Sequence, residues 1–393
     1  MTSSTSDLVA DTRWNVPYVF KGARILRDTC SWADGQRLAD LFDGKLLSFR
    51  IGKRHKSFFG SRVQFEKDCN HIQSTINDFL HWTATHDRKS LPVDHPLHKY
   101  PVEDYFAYAD YMHLPELFGD EQHALINMIN WADMGMKDRD GKESTLWIGS
   151  QGAHTPCHYD TYGINFVAQI VGRKRWLLFP PHSPIGQLQT RIPYEESSVY
   201  IDIEPSVLDR LKNIDVYDVT LEPGDVLFVP KHWWHFVSSL DSITISVNSW
   251  LKQPGDHEEQ IKEMLVRQIV TSAIVAHDYS TDDWLNHNEM VTDPMTNLTI
   301  LSGLLNNTES NESNEPLPKK SRTVITPTDH VHEERLTSIT FGELGLSSTN
   351  EAQATERSAD ISENDALLKR LVKAMTERDT IDLIYNKLCT SHF

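Results

Sequence analysis

Cysteine is nearly absent: Cys30, Cys69, Cys157 and Cys389 are the 4 in 393 residues, they lie far apart, and no Cys-X-X-Cys pair occurs. That excludes a disulfide framework and a zinc ribbon, and it favours a reducing compartment. Apolar runs long enough to cross a bilayer are also missing, and the polar start Met1-Thr2-Ser3-Ser4 lacks the apolar core of a signal peptide. Positive charge is scarce as well, with 38 Lys and Arg against 56 Asp and Glu and a net charge of -18. So acidic a balance argues against a nucleic-acid or anionic-membrane surface, while a basic peptide remains a suitable partner. A soluble, cytoplasmic protein is expected. The basic island Lys319-Lys320-Ser321-Arg322 is a candidate nuclear signal, weighed against a solvated linker.

At this length there is room for one large domain or two ordinary ones, and 10 Trp require a folded core. Residues 1–12 are polar and expected to be disordered. Val16-Pro17-Tyr18-Val19-Phe20 reads as the extended segment that opens the fold. Leu38 to Phe42 reads as a helix stopped by Asp43-Gly44 ahead of the strand Leu46 to Ile51, and a second helical pattern runs from Asn77 to Trp82. The aromatic cluster Tyr105 to Tyr111 suits packing better than substrate binding.

Further on, short strands alternate with Gly and Pro turns, the pattern of an antiparallel sandwich or barrel. For the long connection from Pro184 to Asp218, including Ile192 to Ser198, a substrate-groove wall and a plain surface loop are equally open readings. Past Trp250, Ile261, Leu265, Ile269 and Ala273 share one face of an amphipathic helix, and 256–304 is expected to be a helical extension. Residues 305–361 are rich in Asn, Ser, Thr, Glu and Pro, so a disordered linker is expected there. In 362–393, Leu367, Leu368, Leu371, Val372 and Met375 define a last helix that Ser362 can cap, a docking element for a partner or for the parent domain.

The chemistry concentrates in Thr155-Pro156-Cys157-His158-Tyr159-Asp160 and in Lys231-His232-Trp233-Trp234-His235. Two imidazoles and one carboxylate hold a non-haem Fe(II) on one face and leave its other positions open. In a strand, His158 and Asp160 point to one side and Tyr159 to the other. His235 follows the apolar run Val226-Leu227-Phe228-Val229-Pro230, which can return it to the same metal inside one barrel. With 19 His in the chain, a His-X-Asp triplet also arises by chance. Zinc on His154, Cys157, His158 and His232 is the weaker reading, because Pro156 disfavours a helical His face and no second thiol lies nearby.

Around these motifs the residues form an ordered series. Leu146-Trp147-Ile148-Gly149 leads to Thr155-Pro156-Cys157-His158-Tyr159-Asp160, then Asn165-Phe166-Val167-Ala168-Gln169-Ile170, Gly172-Arg173-Lys174-Arg175-Trp176 and Leu178-Phe179-Pro180-Pro181. Pro223-Gly224-Asp225-Val226-Leu227-Phe228-Val229-Pro230 and Ile243-Thr244-Ile245-Ser246-Val247-Asn248-Ser249-Trp250 complete it. That series resembles the JmjC family of 2-oxoglutarate oxygenases, within it the factor-inhibiting asparaginyl hydroxylase-like group, and in particular a branch associated with small heat-shock proteins. The resemblance implies a mainly β fold with flanking helices: a double-stranded β-helix of jelly-roll, cupin-like form over residues 13–255, followed by the C-terminal helices. It implies Fe(II) on His158, Asp160 and His235, with 2-oxoglutarate and dioxygen at the open positions.

Matched residue by residue, the family pattern gives Thr155 and Lys174 for the far carboxylate, Asn165 and Asn248 beside metal and cosubstrate, and Trp250 and Trp234 as apolar walls. Alternation supports Lys174, which shares a face with Trp176 while Arg173 and Arg175 share the other; a buried lysine needs an anion, and no internal one is evident. Against the hydroxylase pattern, one extra residue stands between His158 and Asn165, around Tyr162-Gly163. The relatives use helices at 256–304 to dimerise, so a homodimer and packing on the chain's own barrel are equal expectations. The expected function is an Fe(II)- and 2-oxoglutarate-dependent dioxygenase that hydroxylates a protein or peptide side chain. The competing class is a non-catalytic binding protein acting through small heat-shock proteins in the stress response. Histone lysine demethylation is the third reading, without a Cys/His-rich reader domain or an extended basic region to support it.

Overall fold

A computed structural model describes residues 15–27, 32–54, 64–66, 69–85, 91–119, 123–189, 198–201, 203, 207–277, 292–312, 326–345 and 363–390. Its strands are β1 (Tyr18–Lys21), β2 (Leu47–Lys53), β3 (Asn70–Ser74), β4 (Tyr105–His113), β5 (Thr145–Ser150), β6 (His154–Asp160), β7 (Ile164–Val171) and β8 (Lys174–Phe179). The remainder are β9 (Ser198–Tyr200), β10 (Asp215–Leu221), β11 (Val226–Val229), β12 (Trp234–Ser239), β13 (Ile243–Leu251), β14 (His332–Arg335) and β15 (Ile339–Thr340). Among the described residues they form one sheet in the order β14-β1-β11-β7-β13-β5-β4-β2-β3 and another in the order β15-β10-β8-β12-β6-β9. From β5 to β8, and again from β10 to β13, successive strands alternate between the two sheets. This is the winding of a double-stranded β-helix, a jelly roll, as the sequence implied. The central strands are β-branched and aromatic, as a doubly covered strand must be: β7, Ile-Asn-Phe-Val-Ala-Gln-Ile-Val, is buried along nearly its whole length.

Turn chemistry sets which side chains face inward. At the β7–β8 connection Gly172 has φ +63, and a Cβ there would run into the Ile243 carbonyl oxygen, so only glycine fits. The turn starts β8 in the register that buries Lys174 and leaves Arg173 and Arg175 to pair outward with Asp241 and Asp218.

Helices α1 (Gly35–Phe42) and α2 (Ile76–Ala84) cover the outer face of the larger sheet. Asp34 caps α1 by accepting from Arg37 N–H, and Asp43 ends it in the left-handed region at φ 46. Thr75 and Asp78 form a capping box on α2, which places Phe79 in a stack against Phe49 at 4.9 Å. Both helices were legible in the sequence.

The C-terminal third departs from expectation. Helix α3 (Asp256–His277) turns Ile261, Leu265, Val266 and Val270 onto α4 (Pro294–Glu312), α5 (Glu363–Met375) and α6 (Arg378–Thr390). Met295, Leu298 and Ile300 on α4 remain exposed. The expected single last helix is two, parted at Thr376–Glu377, with Thr376 buried; Val372 is buried whereas Leu367, Leu371 and Met375 are exposed. Ser362 lies outside the described residues.

The disordered reading of 305–361 needs correction as well. Helix α4 extends to Glu312, β14 pairs with β1, and β15 pairs with β10. One short segment thus lines an edge of each sheet. The polar composition misled because β14, His-Glu-Glu-Arg, is exposed and joins its sheet through backbone hydrogen bonds, while Phe341 is buried against Phe179 in the core of the smaller sheet, with Ile339 and Leu344 packed beside it. Lys319 to Arg322 and residues 1–12 lie outside the described residues.

Candidate metal and cosubstrate site

His158 and Asp160 sit two apart on β6, and His235 is the cross-strand partner of His158 on β12. Strand alternation aims all three into the barrel, and one ligand atom from each lies within 4.8 Å of the others. The two imidazole centroids are 4.2 Å apart, and His158 Nε2 lies 3.8 Å from Asp160 Oδ1. Each ring is oriented the same way. His158 Nδ1 meets the Pro156 carbonyl at 2.8 Å and His235 Nδ1 meets the Trp233 carbonyl at 2.9 Å. A carbonyl only accepts, so both Nδ1 atoms carry the proton and both Nε2 lone pairs are free for a metal. Burial, with His235 alongside, pushes His158 down to about 3, which keeps it neutral at neutral pH. Tyr159 faces away and packs on Trp234, as alternation required.

A cavity of about 50 Å³ opens from this triad toward Lys174. Lys174 is 1% exposed, and its Nζ donates to Ser246 Oγ at 2.7 Å and to the Tyr108 hydroxyl at 3.3 Å. No carboxylate pairs with it among the described residues. Burial pushes its pKa down to about 7, with Asp110 pulling the other way. Thr155 is hydrogen-bonded to the same Tyr108 hydroxyl, so cation and hydroxyls meet at one end of the cavity. Asn165 and Asn248 lie between this end and the triad, joined by Asn248 Nδ2 donating to Asn165 Oδ1 at 2.9 Å. The extra residue near Gly163 is taken up in a turn with φ +77, where Gly163 N–H donates to Asp256, and Asn165 still faces inward. Trp250 lines the mouth and does more than wall it, since its indole N–H donates to Asp160 Oδ2 at 3.1 Å. The structure therefore brings together every residue the sequence proposed except Trp234.

Trp234 needs correction: it points to the opposite side, into the smaller sheet's outer cluster against Gly186 and Tyr159. Its neighbour His235 faces the cavity, so alternation itself placed Trp234 outside. Sequence reasoning missed Tyr108, Tyr111, Trp147 and Ser246. Tyr108, buried among Arg50, Lys174 and Thr155, packs as expected of its aromatic cluster and lines the cavity as well. Ser246 could have been found, being two residues before Asn248 on one face of β13. Tyr111 carried no signal: a register slip in β4 places it at φ 50, hydrogen-bonded to Glu66 and Tyr200, and Tyr200 stacks on His158 at 5.2 Å. The long connection thus contributes to the site through Tyr200, while 192–197 lie outside the described residues.

A buried charge cluster backs the cavity. Arg50, 1% exposed, donates to Asp110 Oδ2 at 2.7 Å and to the His154 carbonyl at 3.0 Å. Glu66 lies 3.9 Å from its guanidinium, and burial pushes Glu66 up to about 7 against the pull of Arg50.

The set of two imidazole nitrogens and one carboxylate oxygen suits a divalent iron, and a cavity ending in an unpaired ammonium suits a dianion reaching from that metal. The model of a cupin-like domain matches residues 12–257. HSPB1-associated protein 1 of Rattus norvegicus is 42% identical over 262 residues, covering 65% of this chain and 53% of that protein. The HSPB1-associated protein 1 homolog of Danio rerio is 43% identical over 251 residues, covering 62% and 54%. More distantly, the lysine-specific demethylase JMJ30 of Arabidopsis thaliana is 35% identical over 112 residues, 26% of this chain and 24% of that one. The chain spans about half the length of the curated HSPB1-associated relatives it matches.

Proposed function

Because the chain belongs to the cupin-like, JmjC-type domain family, we propose that it is an Fe(II)- and 2-oxoglutarate-dependent oxygenase that hydroxylates a side chain of a protein or peptide. The observation that carries this reading is the joint presence, in one cavity, of the His158–Asp160–His235 triad and a buried lysine that no carboxylate pairs with among the described residues. When bound, iron and 2-oxoglutarate supply the oxidation: one oxygen atom of dioxygen enters a substrate C–H bond as hydroxyl, and the keto acid leaves as succinate and carbon dioxide.

The chain's own residues hold and order these reactants. His158 and His235 present Nε2 and Asp160 its carboxylate, and Trp250 fixes the carboxylate by its second oxygen. Lys174, Tyr108 and Thr155 receive the far carboxylate of the diacid with charge-assisted hydrogen bonds. Trp147, Trp250 and Tyr111 restrict water at the mouth, and the net charge of -18 favours a basic peptide.

The name of the HSPB1-associated relatives favours a second reading, a binding protein acting on small heat-shock proteins through its outer faces. Anaerobic titration with Fe(II) and 2-oxoglutarate, followed by succinate release on adding oxygen, separates the two in wild type and His158→Ala. Binding and triad-dependent succinate release are expected. Cosubstrate binding with no succinate, even with candidate peptides, would move the assignment to the binding protein. Mass spectrometry of a turned-over peptide distinguishes a retained hydroxyl from loss of a methyl group, the demethylase outcome.

A further inference from the structure

On β13, Trp250, Asn248 and Ser246 face the cavity in succession, about 7 Å apart along a strand. Trp250 bonds the triad through Asp160, and Ser246 bonds Lys174. Asn248 therefore stands midway, level with the metal-side half of a diacid spanning the two. It is 2% exposed, and its partner Asn165 is 5% exposed.

An amide pair of this kind has two polarities, and a third side chain decides between them. Trp147 Nε1–H donates to Asn248 Oδ1 at 2.8 Å. An indole nitrogen can only donate, so the Asn248 oxygen must face Trp147 and its Nδ2 must face Asn165. That Nδ2 donates to Asn165 Oδ1 at 2.9 Å, which turns the Asn165 oxygen toward Asn248. The Asn165 Nδ2 has no partner among the described residues, and it is the end of the pair left to meet a ligand. Were Trp147 an acceptor or a plain hydrocarbon, both amides could turn over and present oxygen to the cavity. An oxygen there would repel a carboxylate.

We infer that Trp147 is a positioning residue that fixes the Asn248–Asn165 pair with an N–H aimed at the metal-side carboxylate of the cosubstrate. The inference rests on the oxygenase reading. It assigns Trp147 no contact with the reacting atoms, and its effect passes through Asn165.

The test is a double-mutant cycle on 2-oxoglutarate affinity, measured anaerobically in the full chain loaded with Fe(II), for wild type, Trp147→Phe, Asn165→Ala and the double variant. Trp147→Phe keeps a ring and removes the donor, and about tenfold weaker 2-oxoglutarate binding is expected with Fe(II) affinity retained. The double variant is expected to bind no more weakly than Asn165→Ala alone, within about twofold, because the two act through one contact. The visible charge-transfer band of the bound keto acid should shift in Trp147→Phe and in Asn165→Ala alike. Independent, multiplying losses, or unchanged affinity and band in Trp147→Phe, would overturn the inference. Should Trp147→Phe not fold, replacement of Trp147 by benzothienylalanine, which swaps N–H for sulfur at constant shape, serves in the same cycle. A wild type that binds Fe(II) but no 2-oxoglutarate would instead overturn the oxygenase reading itself.

Discussion

Replacing Lys174 by Met should make the empty protein more stable at neutral pH, while abolishing 2-oxoglutarate binding. The ammonium is bonded to two hydroxyls and, among the described residues, paired with no carboxylate, and burial pushes its pKa from 10.5 to about 7. The sign follows from proton counting. Between about 7 and 10.5 the unfolded chain holds the proton and the folded chain has released it, so the lysine opposes folding fully below about pH 7 and progressively less as pH rises toward 10.5. At about 1.4 kcal/mol per unit, the lysine costs about 4 kcal/mol at pH 7. Lys174→Met removes that cost but leaves the Tyr108 and Ser246 hydroxyls short of a partner, for which about 2 kcal/mol is a fair charge. The net expectation is a gain of about 2 kcal/mol near pH 7. The difference between the two proteins should shrink by about 3 kcal/mol between pH 7 and about pH 10, and groups common to both cancel. Urea unfolding of the metal-free proteins at several pH values measures this directly. A variant less stable than wild type at pH 7, or a difference flat with pH, would refute the claim that Lys174 is held inside as an uncompensated cation.

Three further expectations concern the surroundings of the site. Trp250→Phe removes the donor to Asp160 Oδ2 and should weaken Fe(II) binding by about tenfold or more, read by anaerobic metal titration. Asp110→Asn leaves the Arg50 guanidinium buried with only distant Glu66 to balance it, and should cost about 3–5 kcal/mol in urea unfolding. Phe341→Ala empties the anchor of the segment that lines both sheet edges; a loss of about 3 kcal/mol and faster proteolysis within 326–345 are expected, whereas unchanged protection would show that backbone pairing alone holds it.

What the sequence made legible is what periodicity and alternation control. The triad, Lys174 and the jelly-roll strands are apolar or chemically distinctive residues at period two, and their facing follows from the pleat once one member is assigned. The same rule, applied to Trp234 beside His235, would have excluded it from the cavity. Local irregularity was illegible: the β4 slip that turns Tyr111 to the mouth leaves no mark in composition, and neither does the meeting of Arg50 with Asp110, 60 residues away. Edge strands such as β14, whose side chains are all exposed, write no hydrophobic signal either. They are specified by the open backbone of the neighbour they join, which a one-dimensional pattern does not contain.

The two functional readings differ in what they ask of the interior. A binding protein that works through its outer faces needs a filled, stable barrel, and methionine or leucine would fill the Lys174 site at lower cost than an unpaired ammonium. The barrel also spends polar groups on orientation: both metal-facing imidazoles are locked by backbone carbonyls, Asp160 is held by Trp250, and the amide pair is held in one polarity by Trp147. None of these contacts strengthens an outer surface. In the proposed function a cation at the triad would balance Asp160 and a dianion would balance Lys174, with these contacts holding the ligand groups in place. On that ground the interior favours the proposed binding of a metal and a keto diacid, and in that proposal association with small heat-shock proteins would bring a substrate or a regulator to the site.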